Sequence, residues 1–286
     1  MMKYAISAAT GRFGQLAISY LLKVVDAGDV VAIVRDAAKG RSVLPAGVTV
    51  RQADYGDEAA LTQALTGVDR LLFISSVPGG EPSRQQQHAN VIQAAQTAGV
   101  AFVAYTSFAH ADTAQSPLST DHVATEKALR ASGLRHSFLR NAWYLENESS
   151  YLQAGANGQN AVYAAGQGRI SFALEREYAE AAAQVLMTPA PKEVYEFGGE
   201  PRTYADLAAA LSQVTGKSFT FKSVDDAAYR ESLQAAGMDQ GLVAGLNSMQ
   251  AMMRAGELDV TSSDLPDVLG RPLTSLPDAI HEILQR

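Results

Sequence analysis

The chain has 286 residues, 47% of them apolar and 19% charged, with a net charge of −7 and no cysteine. This is a globular composition, long enough for one large domain or one domain with an appended lobe. The negative charge argues against nucleic acid as a partner, and the missing cysteines exclude disulfides, thiolate metal sites and thiol catalysis. No apolar run approaches the roughly 20 residues that span a bilayer. A strand pattern begins at Tyr4, which leaves no room for a signal peptide, so the expected address is cytoplasmic.

The first strand, Tyr4–Ile6, runs into a turn reading Ser7-Ala-Ala-Thr-Gly-Arg-Phe-Gly14. A helix follows, with Ala17, Ile18, Leu21, Leu22 and Val25 on one stripe. The second strand, Val30–Val34, ends on Arg35. A strand, a glycine-punctuated turn, a helix and a second strand in this order describe a dinucleotide site. Gly11 lets the backbone approach a pyrophosphate, Gly14 lets the helix pack on the strand, and the helix N-terminus faces the phosphates. An acidic residue at the tip of strand two would bond a ribose 2′-hydroxyl. Arg35 instead presents a fork of donors suited to a 2′-phosphate, with Arg12 as a second positive charge, so the expected cofactor is NADPH. The first glycine position of the motif is Ala8. If that position needs a positive φ, alanine costs about 1–2 kcal/mol; if it is extended, the methyl group costs only space. Gly11 and Gly14 also suit a bare strand–helix turn, and it is Arg35 at the right distance that favours the cofactor.

Further strands are expected at Val48–Val50, Leu71–Ile74, Phe102–Tyr105 and Ser137–Leu139, with helices over Asp57–Leu65 and Gln85–Ala98 between them. Short, almost unbroken apolar runs of this kind are buried on both faces of a parallel sheet. The fold class is therefore α/β: a doubly wound, Rossmann-type parallel sheet with a smaller, mainly helical C-terminal lobe. Residues 1–150 form the dinucleotide-binding core. Residues 151–286 are a mixed segment that returns partly to the core and forms a lobe over the substrate. In that segment, strands are expected around Ala161–Ala164, Arg169–Phe172, Val194–Phe197 and Ser218–Lys222, and a helix through Tyr178–Leu186. Met249–Met253 reads as core rather than as a mobile lid.

Ligands of such sheets lie beyond the carboxyl ends of the strands. Ser75, Ser76, Thr106 and Ser107 end strands four and five, so their hydroxyls are expected at that crevice; bonds to free backbone groups explain them as well. Asp54-Tyr55 follows strand three and suits either an adenine contact or plain turn chemistry.

Several motifs resemble the NmrA-like branch of the atypical short-chain dehydrogenase/reductases: Leu139-Arg-Asn-Ala-Trp-Tyr-Leu-Glu-Asn147, Tyr105-Thr-Ser107, His122-Val-Ala-Thr-Glu-Lys127 and the arginine after strand two. Within that branch the chain is most similar to the bacterial NADPH-dependent quinone oxidoreductases, with the triphenylmethane reductases close behind. The resemblance implies NADPH across the strand ends. The Ala8–Phe13 turn would hold the pyrophosphate and Arg35 the 2′-phosphate, while Ser75, Ser76 and Val77 line the nicotinamide side. It also implies that the Asn141–Asn147 segment covers the nicotinamide and walls the substrate pocket.

The broader superfamily carries a Tyr-x-x-x-Lys pair where this chain has His122 and, one place late, Lys127. A ketone needs that acid, because its reduced alkoxide is a strong base; a quinone yields a stable phenolate and needs it far less. His122 and His110 are conceivable acids, but a lone helical histidine is more often structural, so no catalytic residue is assigned. His88, His136 and His281 show no metal-ligand spacing. Catalysis then rests on holding a flat acceptor against the nicotinamide, with Phe108, Trp143 and Tyr144 as walls; core packing is the rival role for Trp143. The expected function is flavin-independent hydride transfer from NADPH to a quinone, by a monomer or homodimer. An NADP(H)-sensing regulatory protein and a reductase of cationic triphenylmethane dyes are the rival readings.

Overall fold

The computed structural model describes residues 1–285. Seven strands form one parallel sheet: β1 (Tyr4–Ile6), β2 (Val30–Val34), β3 (Thr49–Gln52), β4 (Arg70–Phe73), β5 (Phe102–Phe108), β6 (His136–Asn141) and β10 (Val194–Phe197), in the order β10-β6-β5-β4-β1-β2-β3. Tyr4 pairs with Val30 on one side and Arg70 on the other, which puts the switch in strand order at β1. The remaining strands make two parallel pairs: β7 (Trp143–Tyr144) with β9 (Phe172–Ala173), and β8 (Ala161–Tyr163) with β11 (Phe221–Ser223).

Helices cover both faces of the main sheet. On one face α1 (Arg12–Leu21) packs against α7 (Glu175–Met187), which also meets α11 (Asp264–Leu269). On the other lie α3 (Glu58–Leu65), α4 (Arg84–Thr97) and α5 (Pro117–Ser132), and α2 (Ala37–Val43) follows β2. Every residue of β2, β4 and β5 is buried, as a sheet covered on both faces requires. A third core joins α6 (Ser149–Ala156), α8 (Tyr204–Thr215), α10 (Gln240–Arg254) and α12 (Leu276–Leu284); α9 (Asp226–Ala235) packs on α10. Residues 151–285 thus divide. Their α7 and β10 belong to the main sheet layers, and most of the rest builds the lobe above the strand ends.

β5 and β6 run further than their apolar stretches. Sequence reading ends them at Tyr105 and Leu139, because Thr106, Ser107 and Arg140 are polar. The strands continue because each polar side chain finds a partner. Thr106 Oγ1 accepts from the Ser75 N–H at 2.9 Å, Ser107 donates to Glu126 at 2.6 Å, and Arg140 donates to Glu126 at 2.7 Å. Met252 and Met253 are core residues, at 3% and 1% exposure.

Ala8 adopts a φ of 47°, the left-handed conformation that glycine tolerates and alanine does not. Its methyl group is exposed, so no packing repays the strain. Ala8→Gly should therefore stabilise the fold by about 0.5–1 kcal/mol, the strain relieved less the added freedom of the unfolded chain. Urea unfolding would read this, and a lower midpoint in the variant would contradict it.

Candidate functional site

Three features lie at the carboxyl ends of the strands: the turn before α1, the tip of β2, and a niche at the ends of β4, β5 and β6. In the turn, the Gly11 N–H donates to the Ala8 carbonyl at 2.9 Å. A Cβ on Gly14 would come within 2.8 Å of the Ala8 oxygen and of the Ala9 Cα, so only glycine allows this approach of helix to strand. Gly11 caps α1 without a side-chain bond, which leaves the first-turn N–H groups to water or an anion.

At the tip of β2, Arg35 is exposed, and among the described residues it forms no salt bridge. Its neighbour Asp36 turns the other way, where its carboxylate caps α2 by accepting from the Ala38 and Lys39 N–H groups. The tip thus offers a free guanidinium, beside a carboxylate that has one oxygen engaged in the helix cap.

Arg12 departs from expectation. It does not stand free toward the phosphates; its guanidinium bridges Glu146 and Glu175, each at 3.0 Å. These carboxylates come from the 3-10 turn Leu145–Glu148 and from the start of α7, so Arg12 ties the phosphate turn to the segment over the niche. Phe13 makes a second tie by stacking on Tyr144, with centroids 6.0 Å apart. Asp54 and Tyr55 follow the plainer reading. Asp54 closes a turn by accepting from the Gly56 N–H, and the buried Tyr55 hydroxyl donates to the Ile74 carbonyl at 2.7 Å and also meets the Ser7 hydroxyl.

The niche encloses about 130 Å³, and its lining includes Ser75, Phe108, Asn141, Trp143 and Tyr144, together with His122. Thr106 and Ser107 line it too, so seven of the residues expected from sequence meet in one place. Ser76 and Val77 do not line it: the Ser76 N–H donates to His88 Nε2 at 3.0 Å, and the Val77 side chain is 82% exposed. Asn141 donates from Nδ2 to the Tyr144 hydroxyl at 2.9 Å, while its buried Oδ1 has no partner among the described residues. An unsatisfied buried acceptor in a niche is a place for a ligand's N–H.

His122 was a candidate acid, and the structure gives it another role. Arg84 can only donate, so its 3.0 Å contact makes His122 Nε2 an acceptor and puts the proton on Nδ1, 2.9 Å from the Tyr105 hydroxyl. Burial, and then the nearby Arg84 and His88, hold its pKa well below the usual histidine range. His88 is alike. Nε2 accepts from Ser76, Nδ1 lies 2.7 Å from Thr125 Oγ1, and burial followed by Arg84 pushes its pKa down to about 3. Burial also pushes the Tyr144 hydroxyl up, so it stays protonated. The titratable groups His122 and Tyr144 in the niche wall are both neutral at pH 7. Sequence reading missed this buried Arg84–His122–Tyr105–His88 chain, whose only local signal is a histidine on an apolar helix face.

The two histidines make stability depend on pH with a definite sign. Both stay neutral when folded but take up protons below pH 6.5 when unfolded, so stability is full above 6.5 and falls as the pH drops. His88 alone should cost about 2 kcal/mol at pH 5, given its folded value of about 3, and His122 adds to the loss. Urea midpoints between pH 7.5 and 5 test this, and a flat profile would count against it.

Beyond Trp143 lies a second, larger cavity of about 790 Å³, within the lobe. Trp143 and Asn147 line both spaces. The indole N–H donates to Glu148 at 2.8 Å, which fixes the ring as a shared wall.

A family model described as NAD(P)H-binding matches residues 8–186. The chain belongs to this family. It is 42% identical to quinone oxidoreductase 2 of Escherichia coli over 281 residues, 98% of each protein. Among solved structures it is similar to the Escherichia coli NADPH-dependent quinone oxidoreductase complexed with NADPH. There the TM-score is 0.93 with 41% identity, over 98% of this chain and 99% of the other. It is likewise similar to the Citrobacter sp. triphenylmethane reductase complexed with NADP(H). In that case the TM-score is 0.93 with 33% identity, over 99% of this chain and all of the other. The family match begins at Ala8, the first residue of the glycine motif, and spans every main-sheet strand from β2 to β6.

Proposed function

We propose that this chain is an NADPH-dependent reductase that passes hydride directly to a quinone, without flavin. The observation that carries the reading is the niche at the strand ends, walled by Phe108, Trp143 and Tyr144, with only neutral titratable groups in its lining. Such a site can align a flat acceptor but offers no strong acid, which suits an acceptor whose reduced form needs none. The Escherichia coli relatives, named as quinone oxidoreductases and solved with NADPH, support it.

The residues present fit the cofactor. The first-turn N–H groups of α1, with Ala8, Gly11, Phe13 and Gly14 shaping the turn, would hold the pyrophosphate. Arg35 is free for a 2′-phosphate, and the unpartnered Asn141 Oδ1 can accept from a carboxamide. Arg12 acts by holding the Glu146 segment against the turn. NADPH, when bound, supplies the hydride from its nicotinamide ring. Ser75, Asn141 and Tyr144 would keep that ring in register, and Trp143 and Phe108 would hold the acceptor flat against it. The phenolate takes its proton from solvent. Residues 1–150 carry the cofactor, and residues 151–286 cover the acceptor. In this reading the enzyme works in the cytoplasm as a monomer or homodimer, with a small-molecule quinone as its partner and neither nucleic acid nor membrane.

The test is to follow nicotinamide absorbance with NADPH and NADH against benzoquinones, naphthoquinones and a cationic triphenylmethane dye. Quinone-dependent oxidation is expected, with kcat/KM for NADPH at least about tenfold above NADH, as one charge-assisted contact provides. Tight NADPH binding with no turnover would overturn the reading in favour of a sensor, and turnover of the dye alone would overturn the quinone assignment.

A further inference from the structure

We infer that the 790 Å³ chamber behind Trp143 holds the apolar side chain, alkyl or isoprenoid, of a ring-substituted quinone whose ring occupies the niche. This rests on the quinone reading above and adds a substrate class to it. The nicotinamide and quinone rings together fill the niche, so the rest of a larger acceptor needs another space. The chamber adjoins it across Trp143 and Asn147, and its size is that of a pocket for a small organic ligand.

Its chemistry is settled by which polar groups are already engaged. Glu148 accepts from the Trp143 indole and from the Tyr204 hydroxyl, both at 2.8 Å. Gln250 donates to the Tyr204 hydroxyl at 3.0 Å and accepts the Ala164 and Ala165 N–H groups at 2.8 and 2.9 Å. The inner polar wall is thus satisfied within itself. Most of what remains for a ligand is the apolar surface of Tyr151, Tyr229, Leu233, Leu246, Met249 and Met238, with Asn147, Ser150 and Lys222 as polar groups on the same wall. Flexible methionines and aromatic faces accommodate a chain of variable shape. A hydrogen-bonding substituent would find few open partners there; a hydrocarbon needs none.

The experiment compares kcat/KM, with NADPH, for a methoxy-substituted benzoquinone with and without a decyl chain. The wild-type protein should prefer the decyl form by at least about tenfold, or 1.4 kcal/mol, less than two buried methylenes supply. In Leu246→Glu and, separately, Met249→Glu, a charge in the chamber should bring that ratio to about two or below. A wild-type ratio near one, or an unchanged ratio in both variants, would overturn the inference. Should neither quinone be reduced, the functional reading fails, and the chamber is then judged by binding alone. Emission from Trp143, the sole tryptophan, is titrated with the decyl-substituted hydroquinone dimethyl ether and its chainless analogue. At least tenfold tighter binding of the decyl compound supports the chamber, and equal binding refutes it.

Discussion

Arg35→Asp should raise the Kd for NADPH by about two orders of magnitude or more, while the Kd for NADH changes by less than about threefold. The guanidinium at the tip of β2 is exposed and forms no salt bridge among the described residues, so the protein gives up no internal contact when it meets a phosphate. A charge-assisted bond of this kind contributes about 1.5–3 kcal/mol, and a carboxylate in its place adds repulsion. NADH lacks the extra phosphate and loses only a weak, long-range attraction. Calorimetric titration of both cofactors measures the effect. Equal loss for the two would remove the 2′-phosphate from Arg35.

The largest effect on stability should come from Arg140. It is 2% exposed and donates to Glu126 at 2.9 and 2.7 Å, to Asp112 twice at 2.7 Å, and to Glu196 at 3.0 Å. Glu126 is equally buried and also holds Ser107; its other cation, Arg130, is exposed and 3.5 Å away. Arg140→Met would leave a buried carboxylate with that one distant counter-charge, at a cost of about 3–5 kcal/mol. Adding Glu126→Leu should recover most of the loss, because the expense lies in the unpaired charge and not in the absence of a bond. Urea unfolding of the two variants separates these contributions. A loss below about 1 kcal/mol in the single variant would contradict the ledger of this cluster. The cluster also joins the last turns of β5 and β6, so the single variant should loosen Asn141 and the niche.

Local patterns were legible, and distant pairings were not. The bounds of β1 and β2 follow directly from short apolar runs, and those of β10 from a stretch whose Tyr195 and Phe197 are buried. The turn before α1 is also local, since the roles of Gly11 and Gly14 depend on atoms within a few residues. By contrast, Arg12 finds its carboxylates at residues 146 and 175, and nothing near position 12 announces them. β7 was missed because two residues carry no periodicity and their pairing with β9 spans residues 143 to 172. Polar residues misled where burial was assumed to need apolar ones: Thr106, Ser107 and Arg140 continue strands because partners far along the chain satisfy them. The chamber is the extreme case. Its wall draws on residues from 143 to 253, so no window of sequence contains it.

The central claim is that one NADPH molecule reaches from Arg35 to the niche beside Trp143. Because that residue is the sole tryptophan, its fluorescence reports on the far end of the cofactor while affinity reports on the near end. Titration of the wild-type protein with NADPH and NADH should quench the emission saturably, with NADPH bound at least about tenfold more tightly. Equal affinities, or tight binding that leaves the indole undisturbed, would contradict it.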